Sequence, residues 1–234
     1  MSENSSFASS DPVTDLVLEV FFDFACPWSF VAFNRAREAA MRTQAQIEWR
    51  PLSHKAFYQH LNIARSVSEM EAAHDEQSWI DWLDYCGLKT PHSYGAGSEL
   101  DSSAALAACL YAAEFGKATL FTAAVFDAVW SQGQDITDVS LLKVLTEGSG
   151  IDVAGFDEWL EQSVVSDALA RNIAELIERK GFSTPTFFVE DRMFSGNGNL
   201  PLVELALGQA SDISFVMPGS HYWDGDPEAD PVTD

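Results

Sequence analysis

The feature that most constrains this chain is a cysteine set where a buried strand turns into a helix. Leu16-Val17-Leu18-Glu19-Val20-Phe21-Phe22 is an apolar run with a single charge, the pattern of a strand covered on both faces. It leads into Asp23-Phe24-Ala25-Cys26-Pro27-Trp28-Ser29 and then into a segment of helical periodicity. Pro27 suits the first helical position, because an N–H there would have no intrahelical acceptor. Cys26 therefore falls at the cap, where free backbone N–H groups and the positive end of the helix dipole favour a thiolate over a thiol. The expectation is a cysteine that is nucleophilic at neutral pH. The competing expectation is an inert core thiol, since free cysteine is among the most buried residue types.

A cysteine at such a turn resembles the active site of thioredoxins, whose pattern is Cys-x-x-Cys. Here the fourth position is Ser29. Two cysteines close an internal disulfide and pass electrons in pairs; a single one forms a mixed disulfide with another molecule, adds to an electrophile, or activates another thiol. Ser29 is read either as a hydrogen-bond donor to Cys26 or as an exposed first-turn residue, and Trp28 as shaping the mouth of the site. Asp23 either perturbs Cys26 as a buried carboxylate or caps the turn.

Periodicity along the chain gives an α/β order. Residues 27–43 place Phe30, Val31, Phe33, Ala36, Ala39 and Ala40 on one face of an amphipathic helix. Gln46-Ile47-Glu48-Trp49-Arg50 alternates as a strand and stops at Pro51, making a βαβ unit with a parallel pair. From 54 to 180 the chain becomes helical, with segments expected over 68–86, 102–115, 117–131, 138–148 and 154–180. Strand character returns at Gly181 to Val189, Glu190-Asp191 turns into a second short strand, and Leu200 to Ala210 forms a final helix. The fold class is α/β, a thioredoxin-like fold interrupted by an inserted all-α domain. The expected organisation is a flexible tail over 1–14, a thioredoxin-like domain from 15–53 and 181–211, a helical insertion over 54–180, and an acidic tail over 212–234 whose Phe215, Val216, Tyr222 and Trp223 dock its first half. In a thioredoxin fold Pro185 would be cis, facing Cys26, with Thr184 offering main-chain groups to a peptide or to glutathione. Only about 5–6% of X-Pro bonds in folded proteins are cis, so the expectation is specific.

Composition narrows the function classes. Lys and Arg number 13 against 36 for Asp and Glu, a formal net charge of −23, which repels nucleic acid and anionic membranes. Neither a signal peptide nor a membrane span is expected. Cys26, Cys86 and Cys109 make no disulfide framework and suit a reducing, cytoplasmic setting. His60, His74, His92 and His221 lack metal-ligand spacing, so no metal is expected.

The motifs taken together resemble the DsbA superfamily, and within it the branch of 2-hydroxychromene-2-carboxylate isomerases and kappa-class glutathione transferases. FFDFACPWSFVAF is similar to that branch's Asp-Phe-x-Ser-Pro-Tyr-Ser-Tyr start, and WRPLSHKAF to its Arg-Pro segment. AVFDAVWSQGQDITDVSLL is similar to its Trp-x-x-Gly-x-Asp-Ile signature, and GFSTPTFFVEDRMFSGNGNLPLVELAL to its Gly-x-Pro-Thr-Phe and Phe-x-Gly-Asn-Asp-Arg-Leu ending. The resemblance spans residues 16–210. It implies Cys26 and Ser29 as catalytic residues, Pro27, Trp28, Thr184, Pro185 and Asn197 as binding residues, glutathione as co-substrate and a homodimer. Two departures stand out. Cys26 replaces the branch's serine, and Gly198 replaces the acidic residue that anchors glutathione's γ-glutamyl end. The leading expectation is a monothiol thiol-disulfide oxidoreductase that takes a small thiol or disulfide. The alternatives are a glutathione-dependent isomerase or transferase acting on a small aromatic compound, and a non-catalytic binding protein. His54 and Lys55 are read either as a cation pair reaching the site for a carboxylate or, the favoured account, as a solvated loop, and Asn197 and Asn199 either as ligand contacts near the last helix or as a plain turn.

Overall fold

The first strand, β1 (Val17–Phe22), lies between two others and feeds both sides of the sheet. Leu18, Val20 and Phe22 enter the main core, whereas Phe21 joins Leu52, Phe57, Leu176 and Phe188 in a second cluster. Two covered faces remove the polar/apolar alternation that a half-exposed strand shows. The molecule is represented by a computed structural model that describes residues 16–62, 68–93, 95 and 99–211. Both expected tails, including Phe215, Val216, Tyr222 and Trp223, lie outside the described residues.

From β1 the chain forms α1 (Pro27–Arg42) and returns as β2 (Gln46–Pro51), parallel to β1. At the far end of the chain, β3 (Thr186–Val189) runs antiparallel to β1 and pairs with β4 (Arg192–Ser195) through the two-residue turn Glu190-Asp191. The resulting sheet order is β2-β1-β3-β4. The last helix, α9 (Leu200–Ala210), packs beside α1. There Arg42 grips Glu204 with two contacts, Nε to Oε1 at 2.5 Å and Nη2 to Oε2 at 3.0 Å.

Seven helices fill the chain between β2 and β3 among the described residues: α2 (His54–Leu61), α3 (Glu69–Cys86), α4 (Ser103–Glu114), α5 (Ala118–Phe126), α6 (Val139–Gly148), α7 (Phe156–Leu160) and α8 (Ser163–Glu178). This is the expected α/β fold with a helical insertion. Four details differ from the sequence reading, the first being that β3 begins at Thr186 and not at Gly181. Residues 54–61 are a helix and not a loop: Ser53 caps it by accepting a bond from the Ala56 N–H, and Phe57 is its one buried side chain, too little for a visible period. The segment read as one helix over 154–180 is two, because Gln162 adopts an extended conformation (φ −72, ψ 135) and starts α8 afresh. The end of the segment expected over 117–131 widens into a π-helical turn, Asp127–Ser131, which brings Trp130 wholly inside.

Trp130 shows how the insertion is fastened to the sheet half. Its ring stacks on Phe30 of α1 at 5.8 Å and meets Trp79 of α3 at 5.7 Å. Its indole N–H donates to the carbonyl of Phe24 at 2.8 Å, in the turn that leads to the cysteine. Full burial of one such ring is worth about 1.5–3 kcal/mol or more, and the N–H bond leaves no polar atom unsatisfied. None of the described helices is long and apolar enough to cross a membrane.

Candidate active site

Cys26 is the N-cap of α1, in an extended conformation (φ −88, ψ 115), with Pro27 at the first helical position. Its carbonyl accepts from the N–H groups of Ser29 at 3.0 Å and Phe30 at 3.2 Å, and its own N–H donates to the carbonyl of Asp23 at 3.1 Å. The turn is thus closed by backbone, and the cysteine side chain is spare. Sequence-distant residues then meet it: the Thr184–Pro185 peptide bond is cis, and the Cys26 thiol donates to the Thr184 carbonyl at 3.3 Å across a separation of 158 residues. The Thr184 carbonyl thus accepts from the thiol, with one lone pair left.

The electrostatics depart from expectation. Cys26 is 2% exposed, and burial pushes its thiol above the ordinary value of 9.0, opposed by the hydroxyls of Ser29 and Thr184 and the Ser29 N–H, with the Asp23 charge adding to the rise. The helix mouth does favour a thiolate, but desolvation costs the charged form more. The resting group is a neutral thiol. Ser29 and Thr184 are themselves buried, at 3% and 6% exposure. Neither the Ser29 Oγ nor the Thr184 Oγ1 has a formed hydrogen bond, so each acts on the sulfur as a nearby dipole. Ser29 is accordingly not the exposed first-turn residue that one reading of the sequence allowed. Two idle hydroxyls beside one sulfur are a costly arrangement for a thiol and a suitable one for a sulfur anion.

Residues 17–208 match the DSBA-like thioredoxin domain. The chain belongs to that family. It is 24% identical over 202 residues to a 2-hydroxychromene-2-carboxylate isomerase of Pseudomonas putida, across 83% of this chain and 95% of that one. Among solved structures, a 2-hydroxychromene-2-carboxylate isomerase superimposes with a TM-score of 0.72 at 23% identity, covering 85% of this chain and 100% of that one. The cytosolic disulfide reductase DsbM of Pseudomonas aeruginosa, solved with GSH, superimposes with a TM-score of 0.58 at 20% identity, covering 85% and 95%. These structural likenesses establish the thioredoxin-like fold.

The remaining candidate residues of this DSBA-like protein fall around the cysteine or support it. Trp28 is half-buried and packs edge-on against Trp79 at 5.9 Å, so its ring is shared between α1 and the insertion. Asn197 is buried, not displayed on a turn: its backbone carbonyl and Oδ1 accept from Arg35 Nη1 at 3.1 and 2.6 Å, while its Nδ2 has no partner. Asn199 closes its own turn by donating to the Ser195 carbonyl at 2.6 Å. A Cβ at Gly198 would meet nothing within 4 Å, so the position is small by choice of residue and not for want of space. His54 and Lys55 open helix α2, and the His54 N–H is bound at 2.7 Å to Asp23 Oδ2.

The other two cysteines differ from Cys26 in kind. Cys109 is sealed in the core against the Thr122 hydroxyl at 3.5 Å, and burial pushes its thiol up to about 12. Cys86 ends α3, where burial raises its thiol and the nearby Arg35 guanidinium lowers it. All three are free thiols. Sequence reasoning missed Arg35, whose guanidinium lies 4.6 Å over the Trp82 ring and reaches Asn197 from α1, and Ser102, which bonds Asp23. Ser102 carried one readable sign, a serine pair before the Ala-Ala-Leu run; Arg35 carried none.

Proposed function

We propose that the protein is a monothiol thiol-disulfide oxidoreductase working through Cys26 with glutathione or a similar small thiol. The observation that carries the reading is the pair of buried, unbonded hydroxyls of Ser29 and Thr184 beside the Cys26 sulfur. They suit the one species in such a cycle that needs donors, the thiolate. The reaction runs in two exchanges. The Cys26 thiolate attacks one sulfur of a small disulfide, a new S–S bond forms as the old one breaks, and the departing thiolate takes up the proton that Cys26 gave up. A second thiolate, from glutathione, then attacks the mixed disulfide, releases Cys26 and leaves as a disulfide. No internal disulfide can form within Cys-x-x-Ser, so the second thiol comes from outside.

Glutathione suits the residues present. Ser29, Thr184 and Asn197 each keep an unbonded polar atom in the buried zone, and the DsbM structure with GSH shares the fold. Three free cysteines are at home in a reducing compartment such as the cytoplasm.

A second reading has its own support. The sequence relatives include 2-hydroxychromene-2-carboxylate isomerases, and the raised pKa of Cys26 suits a neutral thiol that donates its hydrogen to a glutathione thiolate. In that role Cys26 serves as a serine would, and the substrate is a small aromatic compound.

One experiment separates the two. The native protein is treated with oxidised glutathione from neutral to alkaline pH and its intact mass is read. The oxidoreductase reading expects one reducible adduct, mapped to Cys26, whose yield climbs with pH. Absence of that adduct in the native protein at every pH would overturn it. Cys26→Ser abolishes exchange under the first reading and preserves isomerisation under the second.

A further inference from the structure

Asp23 is buried to 2% exposure three residues before the cysteine. Both of its oxygens are used. Oδ1 accepts from the Ala25 N–H at 2.9 Å and from the Ser102 hydroxyl at 2.5 Å. Oδ2 accepts from the His54 N–H at 2.7 Å. These donors belong to three places: the turn that presents Cys26, the cap residue of α4, and the first residue of α2. A fourth tie, from the Trp130 indole to the Phe24 carbonyl, holds the same turn from the π-helical segment. An ordinary turn needs only the Ala25 bond. The two extra ones reach into the insertion.

We infer that Asp23 is a positioning residue for Cys26, through which helices α2 and α4 of the insertion hold the thiol in its buried seat opposite Thr184. The inference rests on Cys26 being the working residue and adds how its setting is controlled. The helical insertion is then part of the machinery that sets thiol reactivity. Loosening the Asp23 contacts opens the seat, and removing the carboxylate's charge makes the thiol easier to ionise. The titratable groups around Asp23 are Cys26 on its own turn, His54 and Lys55 at the head of α2, and Asp101 just before α4; the Asp101 charge opposes ionisation of Asp23, and hydrogen bonds from the Ser103 N–H and hydroxyl, with a lesser contribution from the Lys55 charge, hold Asp101 below its ordinary value.

The test is the rate of Cys26 alkylation by iodoacetamide in the folded protein as a function of pH, followed by peptide mass. It yields a midpoint, which reports thiol ionisation, and a limiting alkaline rate, which reports access to the sulfur. It requires no turnover, so it reads out whether or not the oxidoreductase proposal holds. Asp23→Asn is expected to lower the midpoint by about one pH unit, the low end of the effect of removing a nearby like charge, and to raise the limiting rate. Ser102→Ala is expected to raise the limiting rate several-fold, and Ser102→Thr, which keeps the hydroxyl, to restore the wild-type rate. If Asp23→Asn does not fold, the Ser102 pair decides alone. A wild-type midpoint and limiting rate in Asp23→Asn, or a wild-type limiting rate in Ser102→Ala, would overturn the inference, whatever either variant does to stability.

Discussion

Replacing Ser29 by alanine should make the protein more stable and its cysteine less reactive. The Ser29 hydroxyl is 3% exposed and has no hydrogen-bond partner, and leaving a buried polar group unsatisfied costs about 1–3 kcal/mol. Alanine removes that cost and is also the better helix former by a few tenths of a kcal/mol. The expected gain is about 1–3 kcal/mol, a rise of roughly 2–12 °C in melting temperature for a chain of this size. The thiol moves the other way. A hydrogen bond to a charged group is worth about 1.5–3 kcal/mol, so its loss from the thiolate corresponds to an upward shift of roughly 1–2 pH units. Differential scanning calorimetry gives the first quantity, and the pH profile of iodoacetamide labelling at Cys26 the second. Thr184→Val, which removes the other idle hydroxyl at constant shape, should reproduce both signs. A Ser29→Ala protein less stable than wild type, or one with an unmoved labelling midpoint, would refute the view that this hydroxyl is kept for the sulfur anion.

Other expectations follow from the same structure. Burial raises the Asp23 carboxyl above its ordinary 3.8, so the folded state holds that proton more tightly than the unfolded chain does. Stability from this group is therefore present below about 3.8 and is lost as pH climbs through the higher folded value. Urea titrations should show wild type losing stability relative to Asp23→Asn as pH rises across that window, and parallel curves would contradict it. Arg42→Met leaves Glu204, whose side chain is 10% exposed, without its partner, at a cost of about 1–3 kcal/mol in urea denaturation; adding Glu204→Met should recover most of the loss. Gly181→Ala would set a Cβ 2.1 Å from Leu176 Cδ1 and 3.0 Å from the Leu176 carbonyl oxygen. Overpacking of that kind costs about 1–3 kcal/mol, and Leu176→Ala in the same chain should relieve the clash while adding a cavity of its own.

Much of the architecture was legible along the chain because it rests on local rules. The apolar run before Asp23, the proline after Cys26, the two polar residues at Glu190-Asp191 and the capping serines or aspartates each act within a few residues. The strand, α1, the β3–β4 hairpin and α9 followed from them, with ends off by a residue or so except at the start of β3, which begins at Thr186 and not at Gly181. Helix α2 escaped notice because only Phe57 is buried along it, and the π-helical turn because the ring it turns inward, Trp130, bonds to a carbonyl 106 residues away.

What residue order alone determined, then, is that a cysteine caps a helix at the end of a covered strand, in Cys-x-x-Ser form, in a chain of thioredoxin-like order. Whether that cysteine rests as anion or thiol was settled only in three dimensions. The helix terminus that favours the anion is built from neighbours in sequence. The desolvation that outweighs it arises where residues distant in sequence meet the turn: the Thr184 carbonyl at the thiol, the Ser102 hydroxyl and His54 N–H at Asp23, and the Trp130 indole at the Phe24 carbonyl. Hydrogen-bond geometry at a helix end is short-range and written in the local sequence, whereas the dielectric around a sulfur depends on every element that packs against it.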